Sequence, residues 1–297
     1  MNLTVAICTW NRADLLDQTL DGLADLAIPA GVTGEVVVVN NRCTDHTDQV
    51  LDRHRRRLPL VTLREERAGL SHARNAAICA ASGDWILWTD DDVLVDPRWL
   101  AEIVAAIRAM PSASFFGGPI EPWFECEPPD WLAANWRQFR SAFAIRDLGP
   151  EPFDFDTTRL PFGANYAVRR DVQRQFPYDQ RLGRSGGGTI GGEETAVLRA
   201  LLAAGHRGRW VPTARVRHFL PRERLTLDYV RRFYRGVGQT ERIRTGPIAA
   251  GSSWLRQLAA ATSTAWFAAL HSLPTVRGSL WAKALIRSSQ RVGRLAA

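Results

Sequence analysis

Three consecutive carboxylates, Asp90, Asp91 and Asp92, follow an apolar run in the segment "WILWTDDDVLVDP" (85–97). Adjacent anions repel one another, so a fold holds them only where something offsets their charge. Carboxylate oxygens are preferred ligands of Mg²⁺ and Mn²⁺, which commonly bind together with phosphates. The alternative is that one of them caps the next helix, but Asp96 already supplies a cap. The cluster therefore predicts a metal or nucleotide site.

The chain around this cluster alternates between predicted strands and predicted helices. Apolar runs typical of buried strands occur at 3–8, 35–40, 60–65 and 84–88, with segments of helical spacing between them. This alternation, over roughly the first 110 residues, predicts an α/β fold with a doubly wound, mostly parallel sheet.

Three polar segments follow the first, second and fourth predicted strands. They read "TWNR" (9–12), "NNRCTD" (40–45) and "TDDD" (89–92). Because such sheets bind ligands outside the carboxyl ends of their strands, we expect the chemistry in these three loops.

The residue pattern changes after Gly118. The next segment, "PIEPWFECEPPDWLAANW", is rich in Pro and Trp and predicts irregular structure. Its aromatic side chains either form a lip for a sugar ring or pack this segment onto the core; they are Trp123, Phe124, Trp131 and Trp136. Further predictions are a strand leading into a short helix at 162–171, a helix at 193–204, and a final strand followed by a loop that contains His218.

We therefore divide the chain into segments 1–118 and 119–224 and a basic, helical C-terminal extension, 225–297.

The sequence "GGGTIG" (186–191) satisfies G-x-G-x-x-G, but it does not follow an apolar strand. A flexible loop that closes over a bound substrate is the better interpretation. The absence of a Walker-type motif argues against a P-loop NTPase.

Cysteine use and charge restrict the class of protein. The four cysteines are widely spaced, and no basic-then-apolar signal segment is found at the start, which favours reduced thiols in the cytoplasm. The net charge is +7, but eight basic residues and no acidic residue follow Glu241. The rest of the chain carries −1, which argues against a nucleic-acid partner.

The C-terminal extension contains an uncharged stretch at 257–276. Its 20 residues are just enough to span a bilayer, but polar residues dilute it heavily. Amphipathic helices lying on an anionic membrane are the better interpretation, which would place the protein at the inner face of the cell membrane. The alternative is a helical appendage packed on the body or forming a dimer contact.

Several motifs together resemble family-2 glycosyltransferases with the GT-A fold. They occur in the family's order over about residues 3–220: "VAICTWNR", "VVVVNNRCTDHT", "AGLSHARNAAICAASGDWILWTDDD", "PFGANYAVRRD", "GGEET" and "VRH". The resemblance implies that 1–118 binds a nucleotide sugar and 119–224 the acceptor. It also implies transfer of a sugar from a UDP- or dTDP-linked donor, assisted by Mn²⁺ or Mg²⁺, to a hydroxyl of a glycan or lipid-linked acceptor.

The resemblance also assigns the donor site. The family's DxD motif corresponds to the Asp cluster, with Asp92 as the direct metal ligand, Asp90 nearer the ribose and metal, and Asp91 beside the nucleotide. Thr9, Asn11 and Arg12 would line the nucleotide pocket.

Two further positions belong to the implied nucleotide pocket. The family usually has Asp after the second strand, whereas this chain has Asn40 followed by Asn41; an amide still presents donors and an acceptor to a base. Arg74 would pair with phosphate, since a guanidinium binds phosphate in a bidentate manner. The alternative for Arg74 is an exposed helix arginine.

The acidic pair Glu193-Glu194 corresponds to the family's Glu-Asp motif. Inversion at an anomeric carbon requires a base for the acceptor hydroxyl, a role that falls to Glu194, with Glu193 as the alternative. Carboxylates at a helix N-terminus are also stabilised by the helix dipole. In the family a histidine at the position of His218 completes the metal site or contacts the diphosphate.

These observations predict an inverting, metal-assisted glycosyltransferase with a Glu general base. Two alternatives stay open. A nucleotidyltransferase would also combine a parallel sheet with Mg²⁺, although the first loop here lacks glycine. A non-catalytic module that binds nucleotide sugars or glycans would keep the Asp cluster without needing Glu194.

Overall fold

The structure is a computed structural model that describes residues 1–186, 188, 190–246, 253–271 and 278–296. Its strands are β1 (Asn2–Thr9), β2 (Thr33–Asn40), β3 (Leu60–Arg64), β4 (Trp85–Trp88), β5 (Val93–Val95), β6 (Phe115–Gly117), β7 (Ile120–Phe124), β8 (Tyr166–Arg169), β9 (Gly208–Trp210) and β10 (Val216–Leu220). Its helices are α1 (Ala13–Ala24), α2 (Thr47–His54), α3 (Leu70–Ala80), α4 (Trp99–Ala109), α5 (Asp130–Ala133), α6 (Trp136–Phe139), α7 (Arg170–Gln173), α8 (Glu193–Ala203), α9 (Leu227–Thr245), α10 (Ser253–His271) and α11 (Ser279–Leu295).

A seven-stranded sheet forms the centre of the fold, in the order β3-β2-β1-β4-β8-β6-β9. The first four strands in this order pair in parallel, β8 is antiparallel to β4 and β6, and β9 is parallel to β6. Four of these six pairings are parallel, so the prediction of a mostly parallel α/β sheet is confirmed. Val36–Val39 of β2 and all of β4 are buried, as continuous apolar runs predict.

A second sheet has the order β5-β10-β7. The prediction of one final strand with His218 in the following loop is wrong. β9 and β10 lie in different sheets, and His218 is inside β10. Pro212 lies between them, and a turn bonds the Ala214 N–H to the Val211 carbonyl at 3.2 Å. The chain therefore changes sheets at this turn.

The cap predicted for α4 is also wrong. The helix begins at Trp99 and has no side-chain cap. Asp96 instead opens a turn: its carbonyl accepts from the N–H of Trp99 at 2.8 Å, and its Oδ1 from the N–H of Arg98 at 2.9 Å. Asp followed by Pro97 is a typical start of such a turn. The apolar face of α4 is buried as predicted.

The chain divides into two compact units. The first comprises 1–123, 144–180 and 193–219 and contains the large sheet. The second comprises 124–143, 181–192 and 220–297. The sequence predicts that each part of the protein is one continuous segment. In the structure, the second unit instead combines two internal stretches, 124–143 and 181–192, with the C-terminal helices. The segment 186–191 lies partly outside the described residues, because 187 and 189 are not among them.

The described part of the C-terminal extension is largely helical, as predicted. It contains α9, α10 and α11, while 272–276 of the uncharged stretch fall outside the described residues. Among the helices that the structure describes, none combines the length and apolar character needed to cross a bilayer.

Candidate active site

The predicted polar loops meet at one edge of the large sheet. β1 lies between β2 and β4, and the three strands are parallel, so Thr9, Asn40 and Trp88 end at the same edge. The loops are joined there: Oδ1 of Asn11 accepts from the N–H of Thr44 at 2.7 Å. The three loops therefore meet at the edge of the sheet where ligands bind in folds of this kind.

Asp91 and Asp92 are buried and share one cation. Nη1 of Arg12 donates to Oδ1 of Asp91 at 2.9 Å and to Oδ2 of Asp92 at 2.8 Å. Thr9 Oγ1 donates to the other oxygen of Asp91 at 2.8 Å. Burial raises the pKa of Asp91 to about 6, although the charge of Arg12 opposes the rise. Arg12 therefore offsets part of the repulsion within the cluster.

His218 lies beside Asp92. The antiparallel pairing of β10 with β5 sets His218 opposite Val93, and Phe219 donates its N–H to the Asp92 carbonyl at 2.8 Å. This register brings His218 Nε2 to 3.3 Å from Oδ1 of Asp92, with both side chains buried. The structure thus brings two predicted metal ligands together from distant parts of the sequence.

The donor atoms around Asp92 fit a divalent cation. A carboxylate oxygen and an imidazole nitrogen 3.3 Å apart have the spacing of neighbouring ligands, which is about 3 Å for metal–ligand bonds of about 2.1 Å. Asp90 lies in the same loop as Asp92, after β4, and its side chain is 32% exposed. It is therefore accessible to a ligand that enters from solvent.

A second group of possible metal ligands lies on α1 and α2. Donor atoms of Asp17, Asp21 and His54 lie within 4.8 Å of one another. Asp17 already pairs with His54 at 2.7 Å and Arg53 at 2.9 Å, and Asp21 pairs with Arg57. Hydrogen bonds and ion pairs within the protein therefore account for this group.

Arg74 is buried rather than exposed, which excludes the alternative of a surface helix arginine. Its Nη1 lies 3.1 Å from Oε1 of Glu193, and its Nη2 lies 3.6 Å from Oδ1 of Asp90. Its guanidinium also stacks over the rings of Trp88 and Tyr178, at 5.6 and 5.3 Å from their centroids. One buried cation thus connects the Asp cluster with the acidic pair.

The surroundings of Arg74 include residues that sequence reasoning missed. Asn75 exchanges two hydrogen bonds, each 2.9 Å long, with the backbone of Tyr178 and so fixes the ring on which Arg74 stacks. A Cβ at Gly163 would lie 2.5 Å from Nη2 of Arg74, so a side chain at this position would displace the guanidinium. Asn75 could have been predicted as a site residue because it belongs to the motif "ARN", whereas no pattern in the sequence indicates a role for Tyr178.

Glu193 and Glu194 occupy the first turn of α8 but differ in environment. Glu193 is buried and paired with Arg74. Burial and the charge of Glu193 together raise the pKa of Glu194 to about 7, against the opposing charge of Arg74. Glu194 therefore changes its protonation state near neutral pH, as a general base requires.

Asn40 is engaged in the loop after β2. Its Nδ2 donates to Oδ1 of Asp48 at 2.7 Å, and its Oδ1 accepts from the N–H of Cys43 at 2.8 Å. Cys43 in turn accepts from the N–H of Asn11 at 3.3 Å. Asn40 thereby links the first and second loops of the site.

Asn41 bridges β2 and the loop before α3. Its Nδ2 donates to the carbonyls of Glu65 and Arg67 at 2.9 and 2.7 Å, and its Oδ1 accepts from the N–H of Gly69 at 2.9 Å. Gly69 has a φ of 130°, which favours glycine. Both N–H groups of this amide are used within the protein.

The aromatic residues of the Pro-rich segment make ring contacts. Trp123 packs against Phe219, with centroids 4.9 Å apart, in the first unit. In the second unit Trp136 packs against Phe124 and Phe143, at 5.2 and 5.5 Å. Packing of this segment is therefore observed; its role toward a sugar stays a prediction.

Curated proteins similar to this chain include enzymes of sugar transfer and polysaccharide synthesis. Succinoglycan biosynthesis protein ExoM of Rhizobium meliloti is 25% identical over 80% of this chain and 73% of its own length. Validoxylamine A glucosyltransferase of Streptomyces hygroscopicus subsp. jinggangensis is 32% identical over 54% of this chain, which spans 38% of that relative.

Solved structures share the fold. The mannosyltransferase PcManGT of Pyrobaculum calidifontis, in complex with GDP-Man and Mn²⁺, has a TM-score of 0.60 at 21% identity, covering 98% of this chain and 86% of its own. Staphylococcus aureus TarS 1–349 in complex with UDP-GlcNAc has a TM-score of 0.54 at 15% identity, covering 99% of this chain and 90% of its own.

The fold and the sequence agree on one assignment. The predicted GT-A-like α/β architecture matches these structures, and the sequence relatives include named glycosyltransferases. The model of the family described as glycosyl transferase family 2 matches residues 4–164, more than half of the chain. The chain therefore belongs to glycosyl transferase family 2 and is a glycosyltransferase.

Proposed function

We propose that this enzyme transfers a sugar, with inversion, from a nucleoside diphosphate donor to a hydroxyl of a glycan or lipid-linked acceptor. The observation that carries the proposal is the position of Arg74, 3.6 Å from Asp90 and 3.1 Å from Glu193. Arg74 thus lies between the Asp cluster and the acidic pair. The Asp cluster is suited to a diphosphate and its cation, and Glu194 of the acidic pair is suited to removing a proton.

The donor would bind across the loops after β1, β2 and β4. Thr9 and Arg12 support this pocket through their bonds to Asp91, and Asn11 through its bond to the next loop. Asn40 and Asn41 are engaged within the loops, so we assign them to shaping the base pocket. UDP and dTDP are the proposed carriers. GDP is worth testing because the similar mannosyltransferase structure contains GDP-Man.

Glu194 would be the base. Its carboxylate takes the proton of the acceptor hydroxyl while the hydroxyl oxygen forms a bond to the anomeric carbon. The bond from that carbon to the phosphate oxygen breaks, and its electron pair leaves with the nucleoside diphosphate. Attack from the side opposite the leaving group inverts the configuration. Glu193, held by Arg74, would position Glu194 and raise its pKa.

A bound Mn²⁺ or Mg²⁺ would be held by Asp92 and His218, with Asp90 as a further ligand. Its chemistry would be electrostatic, since a divalent cation neutralises charge on a leaving diphosphate. The support is the 3.3 Å approach of His218 Nε2 to Asp92 Oδ1 in a buried setting.

The test measures nucleoside diphosphate release and sugar transfer from a panel of UDP-, dTDP- and GDP-sugars. Calorimetry with the nucleotide and Mn²⁺ compares the parent protein with Asp92→Asn and with a control, Asp171→Asn, whose carboxylate is exposed on α7. We expect donor turnover in the parent and at least about 100-fold weaker metal–nucleotide binding in Asp92→Asn only.

Three outcomes would contradict the proposal. Release of pyrophosphate from a nucleoside triphosphate would indicate a nucleotidyltransferase. Donor binding without turnover across acceptors would indicate a binding module. Unchanged metal–nucleotide affinity in Asp92→Asn would refute the assigned metal site.

We also propose that the enzyme acts in the cytoplasm at the inner face of the membrane. The excess of basic residues after Glu241 would draw the C-terminal helices toward anionic lipids. By their names, ExoM takes part in succinoglycan biosynthesis and TarS is a poly(ribitol-phosphate) β-N-acetylglucosaminyltransferase, so a polymer under assembly is a suitable acceptor class.

A further inference from the structure

The helices α10 and α11 pack side by side and antiparallel within the second unit. Near one end, Trp281 contacts Phe267 and His271, with ring centroids 6.2 Å apart in both cases. Near the other end, Nη1 of Arg291 donates to the carbonyl of Ala259 at 3.0 Å and also contacts Ser263. These contacts fix which faces the two helices leave open.

Among its described side chains, the outward face of α10 is uncharged and mostly apolar, with Gln257, Thr262 and Thr264 as its exposed polar residues. Its inward face is buried through Ala260, Phe267 and Leu270. A surface helix normally carries polar or charged side chains on the opposite side. Here Leu258 is 55% exposed and Trp266 is 61% exposed.

Exposed apolar side chains concentrate on this helix pair. Of the seven large apolar side chains exposed among the described residues, five belong to α10 or α11: Leu255, Leu258, Trp266, Leu280 and Leu295. Such a concentration marks an interaction surface, since single exposed apolar residues are otherwise scattered.

A row of cations runs along α11. Lys283, Arg287 and Arg291 follow at intervals of four residues, so they share one face of the helix, and all three are exposed. The bond from Arg291 to Ala259 sets this row beside α10. No acidic residue occurs after Glu241, so neither helix has an anion to neutralise the row.

A groove opens between the C-terminal ends of α9 and α11 and the first half of α10. Its volume is about 390 Å³, and Arg242, Arg291 and Arg294 contribute three cations to its lining. Glu241 lines it as well and pairs with Arg294, which leaves an excess of positive charge. A groove with this charge and volume can accommodate a phosphate group.

We propose that α10 and α11 form a docking surface for an anionic phospholipid bilayer. The apolar face of α10 enters between the headgroups, while the cationic row of α11 and the groove bind lipid phosphates. The inference deepens the proposed membrane location and assigns it to named residues. A second copy of the chain fits less well, because a twofold contact would bring the same uncompensated cations together.

The test is sedimentation of the full-length protein, without donor, with vesicles of phosphatidylcholine or of phosphatidylcholine and phosphatidylglycerol. Lys283→Glu/Arg287→Glu is compared with Arg56→Glu/Arg174→Glu, which makes the same charge change at exposed residues of the first unit. We expect binding to anionic vesicles only, weakened at least about 25-fold by the first variant, since each basic residue contributes a factor of about 5. The control should bind like the parent.

A second measurement tests the apolar face directly. Brominated lipids should quench part of the tryptophan fluorescence of the parent, and Trp266→Phe should lose a share of that quenching. The proposal fails if both charge variants bind equally, if neutral and anionic vesicles bind equally, or if Trp266→Phe is quenched like the parent. It also fails if light scattering shows a dimer that Trp266→Ser dissociates. Because donor is absent, none of these outcomes depends on glycosyl transfer.

Discussion

Two pairs of adjacent carboxylates lie in the first unit, and an arginine accompanies each pair in a different way. In the Asp91–Asp92 pair, a single nitrogen of Arg12 lies within 2.9 Å of both carboxylates. Its side chain is 34% exposed, so solvent also reaches this cation. The cation is shared between the two negative charges.

The arginine of the second pair makes its closest contact with one carboxylate. Arg74 lies 3.1 Å from Glu193, both side chains are buried, and burial together with the charge of Glu193 raises the pKa of Glu194 to about 7. Sharing an arginine therefore preserves a concentrated negative site, which suits a cation. Engaging one member instead prepares its neighbour to accept a proton.

The largest expected effect comes from Glu194→Gln. An amide cannot take the acceptor proton, so kcat should fall about 10³- to 10⁴-fold while donor affinity is retained. Steady-state transfer assays and donor titration measure the two quantities. Glu194→Asp, which keeps a carboxylate, should retain part of the activity.

Stability provides the control for Glu194→Gln. Because the folded-state pKa is raised from 4.5 to about 7, the unfolded chain loses this proton first as the pH rises. Glu194 therefore weakens the fold progressively between about pH 4.5 and 7, and above that range Glu194→Gln should be more stable than the parent. Lower stability at pH 8 would show that the loss of kcat has a structural cause.

Arg74→Met should produce the next largest effect. It leaves Glu193 buried without its partner, and breaking a buried ion pair costs about 3–5 kcal/mol of unfolding free energy. Denaturant unfolding measures the loss. Arg98→Met is the matched control, because its exposed guanidinium lies 3.8 Å from Asp96 and should change stability by about 1 kcal/mol or less.

The double variant Arg74→Met/Glu193→Gln sharpens this result. If the cost comes from the buried charge of Glu193, removing that charge should recover a large part of the lost stability. An equal cost in single and double variants would instead assign the loss to the stacking of Arg74 on Trp88 and Tyr178.

A smaller change is expected for Glu193→Gln. Removing this charge lowers the pKa of Glu194, and freeing Arg74 lowers it further, so both effects act in one direction. The base is active when deprotonated, so the acid limb of the kcat–pH profile should move to lower pH. A limb that stays in place would contradict the coupling of the two glutamates.

Sequence reasoning predicted the Asp cluster and its edge of the sheet, because parallel strands place their following loops together. The runs in β2 and β4 were equally clear, since strands buried on both faces are continuously apolar. The partners of Arg74 and His218 were not predictable from residue pattern. Arg74 meets Glu193 across 119 residues, and His218 meets Asp92 only through the register of β10 on β5. Both contacts arise from tertiary packing.

The smallest effect is expected for Arg12→Gln. This variant should differ from Arg74→Met in its response to a metal. Removing the shared cation restores repulsion between Asp91 and Asp92, at a cost of about 1–2 kcal/mol, limited because Arg12 is partly exposed. Mn²⁺ bound at Asp92 would supply positive charge at the same cluster, so it should raise the Tm of Arg12→Gln more than that of the parent. Arg74→Met should gain less than Arg12→Gln, because Arg74 lies 3.6 Å from Asp90 but makes its closest contact, at 3.1 Å, with the buried Glu193. Thermal unfolding with Mn²⁺ and with chelator measures the change in Tm of each variant. An equal Mn²⁺ response in the two variants would show that the Asp91–Asp92 pair is not specialised for binding a cation and the Glu193–Glu194 pair for accepting a proton.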